Sequence, residues 1–430
     1  MEYSSLSKEL TSKLSKTIKQ SGGIYFTPPS VIAENIKLLE PYMNNIKSVL
    51  EPSCGSCEYI NALLKNYKHL QITGLELNST IYESIKDLNS VNVKLYNSDY
   101  LKYDSSETYD LIIGNPPYFV MKKENVDKSY YKYFEGRPNI FILFIIKSVA
   151  LVKENGLISF VLPKNFLSCL YYDKTRSYIN AHFQILNIVE CVKANYIETQ
   201  QPTILLIIRK RSLANSLANS LNANLNILNS DLKPEYDSDP DSDFVLTHSS
   251  YTLFATKYNC SKLKNLLLNC SSLEKLGFKV SIGTVVWNQC KDLLTNDCSY
   301  TRLIYSSCIE NNSLSLQTSK NDEKKNYIKK KGISHPMLVV NRGYGVGHYK
   351  FNYCLINETY EYLVENHLIT IEYSKSMDLS NEELLNLYKK IIASLENSKT
   401  CEFVELYFGN SAINSSELSK IVPIYLTQDQ

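Results

Sequence analysis

Asp110-Leu111-Ile112-Ile113-Gly114-Asn115-Pro116-Pro117-Tyr118 is the stretch from which the rest of the chain is read. Leu111–Gly114 is short and Ile-rich, as a strand buried on both faces would be, and it stops at two successive prolines. Prolines lack the backbone N–H donor and fix φ. The Asn115 side-chain oxygen and the Pro116 carbonyl are thereby held as acceptors at a sheet edge, with Tyr118 as a flat platform. A planar NH2 group has two hydrogens and a lone pair delocalised into its π system. Two acceptors that hold those hydrogens favour a pyramidal nitrogen, which returns the lone pair for attack on an activated methyl group. The bland alternative is a Pro-rich turn with a buried tyrosine.

Outward from this strand lie six similar runs: Ile46–Leu50, Ile72–Glu76, Val93–Tyr96, Leu157–Leu162, Ile185–Val192 and Ile204–Ile208. Between them, 58–66, 79–89 and 139–154 have helical length, the last with Asn139 as N-cap and Gly156 just past its end. The alternation predicts an α/β fold whose mostly parallel sheet carries helices on both faces. In such sheets ligands bind outside the carboxyl ends of the strands. Three of those ends carry acids: Glu51, which opens the small-residue turn Pro52-Ser53-Cys54-Gly55-Ser56-Cys57; Glu76, followed by Leu77; and Asp99, beside Tyr100. A small-residue turn entering a helix lets the backbone approach an anionic group. An acid about 25 residues further on is where ribose hydroxyls are accepted in nucleoside-binding sheets. Carboxylates near one mouth repel one another unless a donor-rich ligand uses them.

The chain has 430 residues, with Lys+Arg 46 against Asp+Glu 44, 44% hydrophobic and 21% charged, which suits two or three globular domains. Its net charge of +2 names no partner. The longest apolar run, Ile140–Ile146, stops at Lys147, far short of the ~20 residues that span a bilayer. The start, Met1-Glu2-Tyr3-Ser4-Ser5, has no basic stretch followed by an apolar core, so an intracellular location is expected. The 11 cysteines are odd in number and read as free thiols of a reducing compartment. Cys54 and Cys57 form a CxxC pair that no second pair completes, so no metal is expected. A Ser-Leu-Ala-Asn repeat from Ser212 decays into an acidic run ending at Asp243, and six lysines fall between Lys320 and Lys331. The expected division is a helical extension over 1–22, an α/β domain over 23–211, a linker over 212–243 and a further domain over 244–430.

Asn-Pro-Pro-Tyr after an apolar strand, with Glu51-Pro52-Ser53-Cys54-Gly55 before it and Tyr25-Phe26-Thr27-Pro28-Pro29 before that, resembles the TaqI-type (gamma-group) adenine-N6 DNA methyltransferases. The likeness continues through Gly136–Phe141 and Gly156–Pro163 to Asn195-Tyr196, covering most of 23–210; looser likenesses lie at 276–284, 337–345 and 403–410. It implies a Rossmann-like methyltransferase sheet, S-adenosylmethionine as cofactor, and a carboxyl-terminal α+β target-recognition domain. The implied substrate is double-stranded DNA, with a cognate restriction endonuclease as a possible partner.

Residue by residue, the resemblance places Thr27 and Glu51 at the methionine end of the cofactor. Glu76 would hold the ribose diol, Asp99 the adenine amino group, and Tyr100 and Phe144 the faces of the adenine ring. Ser53, Gly55, Leu77, Asn115 and Pro117 complete the cofactor set. Asn115, Pro116, Pro117 and Tyr118 would carry catalysis, with Tyr118 and Tyr196 stacking on a flipped base. The family's turn usually has glycine where Cys57 stands, and a side chain there is expected to crowd the methionine moiety. In the last domain Lys329, Lys330, Arg342, Tyr344 and Lys350 are the candidates for DNA contact. Two rivals stay open. One is methylation of another NH2 group, the glutamine of a release factor or guanine N2 of RNA; the other is a binding module that has lost transfer.

Overall fold

The computed structural model describes residues 2–192, 194–212, 243–315, 321, 323–342, 350–374, 379–408 and 413–426. It forms two compact units, Met1–Cys260 and Ser261–Gln430. The linker expected at 212–243 lies almost wholly outside the described residues, as does Tyr344.

The first unit is built on a seven-stranded sheet: β1 (Ser48–Glu51), β2 (Gln71–Glu76), β3 (Val93–Asn97), β4 (Tyr109–Gly114), β5 (Val152–Pro163), β6 (Phe183–Glu190) and β7 (Thr203–Lys210). Every strand expected from sequence is present, in the order β3-β2-β1-β4-β5-β7-β6. The strands β1 to β5 pair in parallel, whereas β7 runs antiparallel to both β5 and β6. This is a Rossmann-like sheet with one reversed strand.

Alternation along β4 shows why the runs are apolar throughout. Leu111 and Ile113 enter one core with Ile32, Ile36, Ile60 and Leu63, from α3 (Pro29–Leu39) and α4 (Glu58–Asn66). Ile112 enters the opposite core with Phe141, Ile142 and Ile145 of α6 (Ile140–Leu151) and Ile179 of α7 (Asp173–His182). Period-2 side chains on a sheet covered on both faces must be apolar on both. Other α-helices of this unit are α1 (Ser5–Lys13), α2 (Lys16–Gly22) and α5 (Ser79–Ile85).

Two sequence expectations need correction. Gly156 does not end the helix before it: α6 runs directly into β5 at Val152, and Lys210 Nζ on β7 donates to the terminal carbonyls of Val149 and Val152. Asn139 is the N-cap residue, but its side chain makes no capping bond. Second, residues 244–260 belong to the first unit, not to the carboxyl-terminal one. The hairpin β8 (Val245–His248) and β9 (Tyr251–Phe254) is fastened there by Arg176, whose Nε donates to the Thr252 carbonyl, and by Asp173, which accepts from the Thr252 N–H.

The second unit is α+β. An antiparallel sheet orders Phe278–Ile282, Leu368–Tyr373, Met337–Asn341 and Tyr353–Ile356. A mixed sheet orders Leu294–Thr295, Tyr327–Ile328, Thr301–Ile304 and Tyr362–Val364, the last pair parallel. Helices at Asn381–Glu396 and Ser415–Lys420 each begin with a capping box, Ser380/Glu383 and Asn414/Glu417. Among the described residues no helix is long and apolar enough to cross a membrane, and no group of three His, Cys, Asp or Glu side chains is placed to hold a metal.

Candidate active site

The carboxyl ends of β1 to β4 open on a cavity of about 530 Å³. Its wall includes Ser53 and Gly55 after β1, Glu76 and Leu77 after β2, Asp99 and Tyr100 after β3, Asn115 and Pro117 after β4, and Phe144 from α6. A second cavity, of about 170 Å³, is lined by Pro116, Tyr118, Tyr196, Thr199, Gln201 and Thr203. Gly23, Tyr25 and Asn115 line both, so the two spaces meet at the Asn115 turn.

Each acid has a distinct environment. Glu76 is buried, its Oε2 accepting from the Gly55 N–H at 3.0 Å and its Oε1 from the Asn78 N–H at 2.7 Å. Burial raises its carboxyl above the usual range, against the pull of those amides. A carboxylate has about four lone-pair sites, so acceptor capacity remains for a ligand. Asp99 caps its own turn through Leu101 N–H at 3.0 Å. Glu51 is 3% exposed, and its Oε2 has no hydrogen-bond partner among the described residues. Burial first, and then the neighbouring Cys57, Glu76 and Glu58, hold its carboxyl well above the ordinary value. An uncompensated buried acid is costly unless a cation or donor reaches it.

The Asn115 turn is braced from three sides. Ser53 Oγ donates to the Asn115 carbonyl at 3.1 Å, and Asn115 Nδ2 donates to the Tyr25 carbonyl at 3.1 Å. The amide orientation is therefore set, with Oδ1 left as the acceptor. The Tyr118 hydroxyl lies 2.7 Å from both Asn115 Oδ1 and the Val161 carbonyl. It has one proton, so donation to Val161 leaves Asn115 Oδ1 free for another donor. Tyr196 reaches Thr203 Oγ1 through its hydroxyl at 3.2 Å.

Several expectations shift. Tyr100 and Phe144 line the larger cavity, but their ring centres are 4.9 Å apart. A ring held between them would need about 7 Å, two ~3.5 Å contacts, so they form one aromatic wall and not two faces of a slot. Thr27 and Glu51 are buried and line neither cavity. Cys57 is fully buried in the core with Tyr59 and Ile60 and does not reach the cavity wall, so it does not crowd it. It matters through its backbone instead: φ is 60° at the N-cap of α4, a conformation that favours glycine.

Sequence reasoning also missed a wall. Ile18 and the run Ser21–Phe26 line the larger cavity, so the segment taken as an extension is part of the site. Lys19 is buried and pairs with Glu198 at 2.6 Å, while the Tyr3 hydroxyl donates to the Asn195 carbonyl at 3.0 Å. These bonds tie α1 and α2 to the loop that bears Tyr196. The visible sign was Gly22-Gly23: Gly23 has φ 62°, and a Cβ there would lie 2.8 Å from the Tyr118 nitrogen. Of the second-unit candidates, Lys329, Lys330 and Lys350 are exposed. Arg342 is half-buried, its carbonyl accepting from the Ile413 N–H.

The fold and these cavities define a nucleoside-binding type of α/β unit with an acceptor turn between two spaces. Residues 10–197 match the family described as Eco57I restriction-modification methylase. Over 428 residues the chain is 24% identical to the type II methyltransferase M.CvrRI of Paramecium bursaria Chlorella virus XZ-6E, covering 97% of this chain and 98% of that protein. It is 31% identical over 183 residues to the modification methylase CviBIII of Paramecium bursaria Chlorella virus NC1A, covering 41% of this chain and 47% of that one. Among solved structures it is similar to the type IIG restriction endonuclease BpuSI, with a TM-score of 0.41 and 12% identity, over 96% of this chain and 60% of that chain. The type I restriction enzyme EcoKI M protein is similar with a TM-score of 0.35 and 17% identity, over 46% of each chain.

Proposed function

We propose that this protein is a site-specific DNA methyltransferase that transfers a methyl group from S-adenosylmethionine to the N6 of an adenine turned out of a short duplex sequence. The observation that carries the reading is the meeting of the two cavities at Asn115, between the strand-end acids and the tyrosine-lined space.

The larger cavity fits the cofactor in size and chemistry. Glu76 suits ribose hydroxyls and Asp99 with the Tyr100–Phe144 wall suits an aminopurine, while Glu51, buried behind the cavity wall, contributes its charge toward an ammonium group without lining the cavity. When bound, the sulfonium supplies an activated methyl group. Asn115 Oδ1 and the Pro116 carbonyl hold the hydrogens of the target amine, favouring the pyramidal nitrogen that attack requires. Turning a base out of the duplex costs a few kcal/mol. Stacking on Tyr118 and Tyr196, roughly 1–3 kcal/mol per base–aromatic contact, offsets much of that. The remaining task of Asn115, Ser53 and Tyr25 is positioning, which is where such sites gain rate. A restriction endonuclease cutting the same sequence is the partner against which this modification would protect.

The test is to incubate the protein with S-adenosylmethionine and unmethylated genomic DNA and map modified bases by single-molecule sequencing. N6-methyladenine confined to one short sequence is expected. Modification of a cytosine amine would overturn the base assignment. Cofactor binding with no modified base would move the reading to an RNA or protein NH2 group.

A further inference from the structure

Two arginines are buried among the described residues, and their surroundings differ. Arg176 in the first unit is held by carbonyls and an acid: Nε donates to Thr252, Nη1 to Phe166 and Cys169, and Nη2 lies 3.9 Å from the Asp173 carboxylate. Arg302 in the second unit is 7% exposed, yet its Nε and Nη2 have no hydrogen-bond partner among the described residues. Its guanidinium carbon lies 5.0 Å from the centre of the Tyr327 ring. A buried charge left without partners is strongly destabilising, and the cost persists only where something else supplies the partner.

Arg302 is a wall residue of a cavity of about 750 Å³ within the second unit. The charged residues of that wall are Arg302, Lys329, Lys330, Lys331 and Glu361. The Glu361 carboxylate, whose Oε2 accepts from the Gly332 N–H at 2.8 Å and the Thr301 hydroxyl at 3.4 Å, is the one anion of that wall against four cations. The other walls are Cys298, Ser299, Thr301 and the tyrosines Tyr300, Tyr327 and Tyr360, and among the described residues the Tyr360 hydroxyl is also buried without a hydrogen-bond partner. Four cations and flat aromatic walls suit an anion attached to a ring or sugar. That is the chemistry of a nucleic-acid strand, with phosphate on the guanidinium and sugar or base on tyrosine.

We infer that the Arg302 cavity seats a phosphate of the substrate DNA backbone, with Arg302 as its anchor and Lys329 to Lys331 as its cationic rim. The inference rests on the DNA reading above and assigns a contact that orients the duplex and does not read its sequence.

The test uses the full chain, Arg302→Met, and a double Lys329→Ala/Lys330→Ala variant that alters only exposed side chains. Binding to a short labelled duplex is followed by fluorescence anisotropy across a salt series. Each lost phosphate contact lowers the slope of log K against log[salt] by about 0.9. R302M is expected to weaken duplex binding on the order of tenfold and to reduce the slope by about one. It should leave labelled S-adenosylmethionine binding unchanged and keep or raise Tm, because an unpaired buried charge is gone. The double variant should lower the slope without moving Tm. Unchanged affinity and slope in R302M would overturn the inference, as would a lowered Tm with lost cofactor binding, the mark of a structural arginine. Inorganic phosphate separates the sources: if it raises the wild-type Tm and not that of R302M while duplex affinity is equal in both, the site takes a free phosphate and the DNA assignment fails. Methylation of genomic DNA by the wild type reports the functional reading separately, so either can fail alone.

Discussion

Carboxylates at the two ends of the parallel sheet live in opposite conditions. At the amino end, Asp110 accepts from the Lys47 and Ser48 amides and the Ser48 hydroxyl, each at 2.9 Å, and pairs with Lys153 at 2.8 Å. Those donors outweigh its burial and hold its carboxyl down at about 2. At the carboxyl end, Glu51 and Glu76 are buried, and burial pushes both up. One end of the sheet uses its acid to hold strands together. The other buries its acids, Glu76 on the Gly55 and Asn78 amides and Glu51 with one oxygen unpartnered among the described residues, which costs stability.

The sharpest way to break this contrast is Asn115→Ala at the carboxyl end. It should lower single-turnover methyl transfer by about 10²–10³-fold or more, the scale of losing one preorganised group, while duplex and cofactor binding stay within a few-fold. Retained turnover would remove the proposed grip on the target amine. Tyr196→Ala comes next. On an intact duplex it should cost roughly 5- to 150-fold, the equivalent of one base–aromatic stack, and less on a duplex mismatched at the target, where the base turns out more easily. Equal losses on both would take Tyr196 out of base flipping.

Gly23→Ala probes the wall made by α2. A left-handed φ of 62° and a Cβ only 2.8 Å from the Tyr118 nitrogen together should cost about 1–3 kcal/mol in denaturant unfolding, with cofactor affinity falling in parallel. The pH dependence then separates the two ends directly. Asp110 is depressed when folded, so its contribution is present above the ordinary value of 3.8 and is lost as pH falls through about 2. Asp110→Asn should therefore lose about 1–2 kcal/mol at neutral pH, with the gap closing in acid. Glu51 is raised when folded, so the wild type loses stability as pH rises above the ordinary glutamate value of 4.5. Glu51→Gln should gain on the wild type with rising pH while binding S-adenosylmethionine more weakly. Parallel slopes in the two variants would erase the distinction between the ends. The smallest effect is expected from Cys57→Gly: relief of the φ of 60° and loss of a buried thiol are each about 1 kcal/mol and opposite in sign. Tm and cofactor affinity should hardly move.

Much of the catalytic unit was readable in one dimension because its strands are covered on both faces. A run such as Leu111-Ile112-Ile113 can then be apolar at every position, and its ends are marked by the residues that must meet a ligand. Hence all seven strands and the strand-end residues Glu76, Asp99 and Asn115 were found before the fold was known. The reversal of β7 was not, because an apolar run has no direction in its composition. Cys57 misled for a related reason: the resemblance put it in the ligand turn where glycine is usual, but its backbone is left-handed and its side chain lies in the core.

The α1–α2 segment shows the same limit at larger range. Nothing local in Lys19 or Tyr3 points to a partner nearly 200 residues away, yet their bonds to Glu198 and the Asn195 carbonyl close the site over Tyr196. In the second unit the lysines were visible as a charge run, while Arg302 looked like any strand residue until burial stripped it of partners. By itself the sequence determined the strand set, the acids at the strand mouths and the stiff Asn-Pro-Pro-Tyr turn, because those depend on local composition and on bonds fixed within a few residues. Only the tertiary structure decided which groups were left short of hydrogen bonds, since desolvation and partner supply come from segments distant along the chain.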